Sequence, residues 1–128
     1  MKILGIGVDI VKNKRIEVLI RNKFFISRTF SIKEITFSKK FLNKTFFYSK
    51  RFAAKEALAK SLGTGFRNNL NFRDIEVLND KMGKPYYYKS KKISEIINKK
   101  FKVKSYNLFL SMTDEKDYSV AFTIIQTR

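Results

Sequence analysis

The 128 residues contain neither histidine nor cysteine, so no imidazole or thiolate can act as base, nucleophile or metal ligand, and no disulfide can form. Any chemistry must run on carboxylates, amines, hydroxyls and a hard metal ion. Only 11 Asp and Glu stand against 28 Lys and Arg, which draws attention to acids in isolated places. Asp9 follows the apolar run Ile3 to Val8, where a lone carboxylate is costly unless it is paired or bound to a cation. Glu56 is the only acid between Lys44 and Asn71 and precedes Lys60 by four residues, which puts the two on one helix face. Two carboxylates, completed by waters and substrate phosphates, are the usual protein share of a Mg²⁺ site. Plainer readings exist for each residue: Glu56 and Lys60 have the spacing of a surface ion pair, and Asp9 could cap the next helix. Gly63-Thr64-Gly65 and Gly83-Lys84-Pro85 could expose backbone N–H groups to phosphate, although a helix C-cap explains the first equally well.

The elements that must position these residues follow from pattern. Ile3 to Val11 reads as a strand, with Gly5 and Gly7 permitting close backbone approach. Apolar residues at Ile16, Leu19, Ile20 and Phe24 predict a helix over Lys14 to Phe30 that carries Arg15, Arg21 and Arg28. Ser31 and Glu34 have capping-box spacing and predict a second helix start. The clearest helix runs from about Lys44 to Leu62, through Ala53, Ala54, Ala57 and Ala59, and stops at Gly63; the small residues beside Glu56 would leave room for something to lie against it. Strands are predicted at Asp74 to Leu78 and Pro85 to Lys89, joined by Asn79, Asp80 and Gly83, with a short helix over Ile93 to Asn98. Tyr106 to Ser111 and Tyr118 to Gln126 form a last strand pair around Thr113 to Lys116. The fold class is α+β, an antiparallel sheet with packed helices, in a single domain over residues 1–128.

The net charge of +17 favours polyanionic partners: an acidic protein, a phosphate-rich ligand, nucleic acid or an anionic membrane. Residues 1–50 hold 12 basic and 3 acidic residues, whereas residues 101–128 hold 4 and 3, so a partner-facing surface belongs to the first half. With 15% aromatic residues a nucleic-acid-binding module is the rival class, but it accounts for neither the acid pair nor the order of the motifs. The apolar start is too short for a signal-peptide core or a membrane span, which predicts a cytoplasmic protein.

Three stretches in order resemble the small bacterial holo-(acyl-carrier-protein) synthases, a family of 4′-phosphopantetheinyl transferases. They are Gly5-Ile6-Gly7-Val8-Asp9-Ile10-Val11 with Lys14-Arg15-Ile16; Arg51-Phe52-Ala53-Ala54-Lys55-Glu56-Ala57 with Lys60 and Gly63-Thr64-Gly65; and Gly83-Lys84-Pro85-Tyr86. The resemblance implies the family's α+β fold and a homotrimer with sites at subunit boundaries. It implies Mg²⁺ held by Asp9 and Glu56, and transfer of phosphopantetheine from coenzyme A to a serine of an acidic apo-acyl carrier protein, with release of 3′,5′-ADP, in fatty acid biosynthesis. Asp9, Glu56 and Lys60 would be the catalytic set, with the general base open among Glu56, a metal-bound water and Lys60. Arg51, Lys60, Gly63, Thr64, Gly83, Lys84, Pro85, Ser111 and Thr113 would contact coenzyme A, and Arg15, Arg21 and Arg28 the carrier protein. No nucleic acid or membrane partner is implied. One departure stands out. The family's Ser, any residue, Ser or Thr, His, Thr or Ser on the penultimate strand falls on Phe109-Leu110-Ser111-Met112-Thr113, which puts Met112 at the His and predicts a weaker coenzyme A contact unless a nearby cation replaces it.

Overall fold

A computed structural model describes residues 1–67 and 69–128. The chain folds as β1 (Ile3–Lys12), α1 (Asn13–Leu19), α2 (Lys23–Thr29), α3 (Ile32–Ser38) and α4 (Lys44–Ser61), then a 3-10 turn (Phe72–Asp74), β2 (Val77–Asn79), β3 (Pro85–Tyr87), α5 (Lys91–Phe101), β4 (Tyr106–Asp114) and β5 (Tyr118–Thr127). The sheet has the order β1-β5-β4, antiparallel throughout, and β2 and β3 form a separate antiparallel pair. No described helix is long and apolar enough to cross a membrane.

Helix α4 is the axis of the fold. Its burial is nearly all-round, including Phe47, Tyr48, Phe52, Leu58 and all four alanines, because the sheet covers one side and the other helices the rest. The alanines do leave room, but β1 fills it rather than a ligand: a Cβ at Gly5 would collide with the Ser61 carbonyl, and one at Gly7 with the Ala57 carbonyl. This close approach presents Asp9 to α4. Alternation along the strand sends Asp9 and Val11 toward the helices, while Ile6, Val8 and Ile10 are exposed on the outer face.

Besides β3, which ends at Tyr87 instead of Lys89, and β4, which runs to Asp114 into the turn expected over Thr113 to Lys116, three sequence expectations change. The single helix over Lys14 to Phe30 is two, because the Asn22 side chain accepts hydrogen bonds from the Phe24 and Phe25 N–H groups at 2.8 and 3.3 Å and starts a new helix. The strand expected from Asp74 begins only at Val77, since Asp74 closes the 3-10 turn and accepts from the Asn71 N–H at 2.8 Å. Helix α5 is longer than Ile93 to Asn98 at both ends, capped by Ser90 and ended by Lys102 in a left-handed conformation (φ 55°). The Ser31 and Glu34 capping box forms as its spacing predicts.

Candidate active site

Asp9, Glu56 and Lys60 come together between β1 and α4, with different pairings from those their spacing suggests. Lys60 Nζ lies 2.9 Å from Asp9 Oδ1 and donates to the Val8 carbonyl at 3.2 Å, so it reaches across to the strand instead of back to Glu56. Asp9 is not a helix cap either, since the residue before α1 is Lys12, which makes no side-chain capping bond. Glu56 forms no ion pair among the described residues. Its carboxyl is pushed above the usual carboxylate range, first by burial and then by the negative charge of Asp9, against the opposing pull of Lys60 and Arg15. Two carboxylates close enough to repel, with a lysine already drawn to one of them, form a site for cationic charge. Their oxygen donors suit a hard divalent ion, and no group of three or more metal-ligating side chains occurs among the described residues. That donor count fits Mg²⁺, which keeps most of its ligands as water and phosphate.

Glu56 opens into a groove of about 1060 Å³ that is also lined by Arg15 and Arg28. Arg15 lies over the Phe52 ring at 5.6 Å. The break at Asn22 makes this meeting possible, because it places the two arginines on separate helices that converge on one groove. Arg21 sits in the turn between those helices, 73% exposed and 4.0 Å from Glu17, and does not line the groove. Arg73 lines it too, a residue that carries no periodic signal in the sequence.

A second cluster forms elsewhere. Arg51 is only 2% exposed, with its guanidinium 3.9 Å from the Phe47 ring and Nη2 donating to Asn79. Burial lowers its pKa to about 10, against the opposing charges of Glu34 and Tyr48. Its Nε is buried without a partner, an unmet donor in a region that can take a ligand. Arg51, Gly83, Pro85 and Met112 line one pocket of about 460 Å³, walled by Phe37, Phe41, Phe46 and Phe47. The turn before Pro85 is held by Asp80, whose carboxylate accepts from the Met82 and Lys84 N–H groups at 2.9 Å each, with Gly83 at φ +86°. Lys84 belongs to that turn and does not line the pocket.

The remaining residues expected at coenzyme A lie outside this pocket of the single chain. Gly63 N–H donates to the Lys60 carbonyl at 3.0 Å and Gly65 N–H to the Ala59 carbonyl at 3.1 Å, so this turn caps α4 and those donors are not free for phosphate. Thr64 shares a cavity with Lys99 and Lys100 of α5. Ser111 and Thr113 are exposed on β4, on the face opposite Met112 and Asp114. A motif written as consecutive residues is divided by the two-residue period of a strand. Met112 and Asp114, two residues apart on that strand, face the same pocket. Lys55, which the sequence suggests flanks Glu56, is fully buried and ion-paired to Glu34 at 2.7 Å.

Comparisons with known proteins identify the family. Residues 5–123 match the model of the 4′-phosphopantetheinyl transferase superfamily. A holo-(acyl-carrier-protein) synthase of Pelagibacter ubique (strain HTCC1062) is 59% identical over 128 residues, covering 100% of both chains. The crystal structure of a holo-(acyl-carrier-protein) synthase from Bacillus anthracis str. Ames in complex with coenzyme A (3′,5′-ADP) has a TM-score of 0.82 at 32% identity, covering 100% of both chains. The Neisseria meningitidis synthase has a TM-score of 0.86 at 35% identity, covering 98% of this chain and 99% of that one. The chain belongs to the 4′-phosphopantetheinyl transferase superfamily and, within it, to the holo-(acyl-carrier-protein) synthases.

Proposed function

We propose that this synthase transfers 4′-phosphopantetheine from coenzyme A to a serine of apo-acyl carrier protein, releasing 3′,5′-ADP, with Mg²⁺ held by Asp9 and Glu56. The observation that carries this reading is the pair of mutually repelling carboxylates with Lys60 beside them. When bound, the ion neutralises pyrophosphate charge and polarises the phosphoryl group under attack. Phosphoryl transfer needs positioning and electrostatics more than covalent help, and the chain supplies both. Lys60, paired with Asp9 at 2.9 Å, is placed to meet the negative charge that grows on the departing nucleotide phosphate. The base for the serine proton stays open among Glu56, Lys60 and a metal-bound water, all of which belong to this cluster. Arg15 and Arg28 line the groove that Glu56 opens into, and a carrier-protein segment rich in acids would bring its serine in along it.

A trimer with sites at subunit boundaries accounts for two further features. The outer face of the sheet carries three rows of cross-strand neighbours: Ile10, Val120 and Thr113; Val8, Phe122 and Ser111; Ile6, Ile124 and Phe109. Ile6, Val8 and Ile10 are 57, 54 and 62% exposed, and Phe109 and Phe122 are 49 and 40%, a contiguous apolar surface of the kind that marks an interface. In addition, Glu56 and Arg51 are five residues apart on α4, about 140° around the helix, and the groove and the pocket share no lining residue. One coenzyme A would span the acid pair of one subunit and the nucleotide pocket of its neighbour, which can also bring Ser111, Thr113 and Lys84 to the ligand.

The test is incubation with coenzyme A, Mg²⁺ and apo-carrier protein, scored by the phosphopantetheine mass gain on the carrier. Asp9→Ala and Glu56→Ala should each abolish the gain while circular dichroism stays native, and a chelator should do the same to the wild type. Near-normal transfer by either variant at saturating Mg²⁺ would remove that residue from the site.

A further inference from the structure

Lys50 and Asp114 were not among the residues expected to contact coenzyme A, yet both line the pocket that holds Arg51, Gly83, Pro85 and Met112. Lys50 Nζ is 2.9 Å from Asp114 Oδ2, with the two side chains 30 and 27% exposed. Their partial exposure leaves both within reach of a ligand. The pocket's other cation, Arg51, is buried against Phe47 and donates to Asn79 through Nη2, which leaves its Nε as the donor without a partner among the described residues. A carboxylate at the mouth of a phosphate pocket repels the ligand unless a cation answers it, and Lys50 does so here. The aromatic walls from Phe37, Phe41, Phe46 and Phe47 suit a flat base.

Phosphates also have to be shared between the two clusters. With the pyrophosphate at Asp9, Glu56 and Lys60, the phosphate left at the nucleotide end of coenzyme A is the one on the ribose 3′-oxygen. We infer that Lys50 binds this 3′-phosphate, exchanging its partner Asp114 for the ligand, and that the Lys50 and Asp114 pair makes the enzyme select coenzyme A over its 3′-dephospho form. This rests on the reading of the pocket as the nucleotide site. Asp114 has a double action in the empty pocket: it holds the Lys50 ammonium at the rim, and it competes with the incoming phosphate for it.

The experiment measures KM for coenzyme A, for 3′-dephospho-coenzyme A and for apo-carrier protein, together with calorimetric binding of 3′,5′-ADP, in four variants. Lys50→Met should raise KM for coenzyme A by roughly ten-fold or more, the weight of one charge-assisted hydrogen bond, and weaken 3′,5′-ADP to a similar degree. It should leave KM for the 3′-dephospho form and for carrier protein within about two-fold, because those ligands lack the group that Lys50 meets. Asp114→Asn should lower KM for coenzyme A. Lys50→Met/Asp114→Asn should recover part of the loss, because the stranded carboxylate is gone. Met112→Trp fills the pocket and separates the inference from the reading beneath it. If Met112→Trp raises KM for coenzyme A and Lys50→Met does not, Lys50 is not the phosphate ligand and the inference is overturned while the pocket keeps its role. If neither variant moves KM for coenzyme A, the pocket is not the nucleotide site and both fall. Equal losses for coenzyme A and its 3′-dephospho form in Lys50→Met would also overturn the 3′-phosphate assignment.

Discussion

Replacing Lys55 by Met should cost more stability than any other single change of a charged residue in this chain. The ammonium is fully buried and makes three hydrogen bonds: to Glu34 Oε1 at 2.7 Å, to the Phe72 carbonyl at 3.1 Å and to the Ile75 carbonyl. It also lies 5.3 Å from the Phe30 ring. Burial lowers the Lys55 pKa against the raising effect of the Glu34 charge and hydrogen bond, as expected where desolvation offsets much of the attraction in a buried pair. Methionine keeps most of the packing volume but strands a carboxylate and two carbonyls. Removing one partner of a buried pair costs about 3–5 kcal/mol. Glu34 keeps the Ser31 and Val77 N–H donors at 2.9 and 3.1 Å, which places the carboxylate's share at the low end, and the carbonyls raise it again. A loss of about 4 kcal/mol, at an unfolding entropy of roughly 2.1 cal/mol/K per residue, lowers Tm by about 15 °C. Calorimetry and urea titration at fixed protomer concentration measure it, since association alters apparent stability. In Lys55→Met/Glu34→Gln the amide no longer needs a counter-charge, so the double variant should lose at least about 1 kcal/mol less than the sum of the single ones. A loss below about 1 kcal/mol in Lys55→Met, or strict additivity in the double variant, would refute the argument.

Arg15→Glu and Arg28→Glu should raise KM for carrier protein and leave KM for coenzyme A near its normal value, whereas Arg21→Glu, outside the groove, should act only weakly and lose even that effect at high salt; equal effects of all three on both substrates would point to misfolding. Tyr87, whose hydroxyl lies 2.6 Å from both the Ala54 carbonyl and Thr123 Oγ1, is pushed by burial above the usual tyrosine range. A raised folded pKa contributes stability that is fully present below the unfolded value of about 10 and is lost as pH rises above it. Wild type should therefore lose stability above about pH 10 more steeply than Tyr87→Phe, and parallel pH profiles would contradict this. Val8→Glu or Phe122→Lys, on the exposed apolar face, should convert the oligomer to monomers in sedimentation velocity and stop phosphopantetheine transfer together; a fully active monomer would exclude a site shared between subunits.

Local signals were legible in the sequence wherever neighbouring residues carry the information. The Ser31 and Glu34 capping box, the span of α4 with its Gly63 stop, and the delivery of Asp9 by β1 depend on spacings of a few residues, and the folded chain keeps them. What was not legible depends on partners distant in sequence. Lys55 sits in a stretch of charged and small residues, and lysine is almost never fully buried without a partner; its partner is 21 residues away and nothing local points to it. Asn22 looks like one polar residue within an amphipathic repeat, and only its side-chain bonds to the next turn make it a break. Glu56 and Lys60 satisfy the helix rule for an ion pair, yet Lys60 pairs with a strand residue 51 positions away. Tertiary contact outweighs a local pairing worth a few tenths of a kcal/mol.

The arrangement of the two clusters follows from the central position of α4. A helix covered by a sheet on one side and by helices on the others has no single exposed face on which to gather a substrate site. Its functional side chains leave through gaps between the covering elements: Glu56 toward α1 and α2, and Arg51 toward the turn before β3 and the end of β4. Coenzyme A is long, with reacting phosphate and adenine at separate places along it, so a site divided between two subunits can still be one site. Such a division would also give a reason for the apolar outer face of the sheet, whose partner would have to be held closely enough to register the two halves. Under this arrangement a mixture of Glu56→Ala and Lys50→Met/Arg51→Met chains should regain part of the transfer that each homogeneous protein lacks. In mixed oligomers some boundaries then join an intact acid pair to an intact nucleotide pocket. Absence of any recovery after co-refolding, with mixed oligomers demonstrated by native mass spectrometry, would place the whole site within one chain.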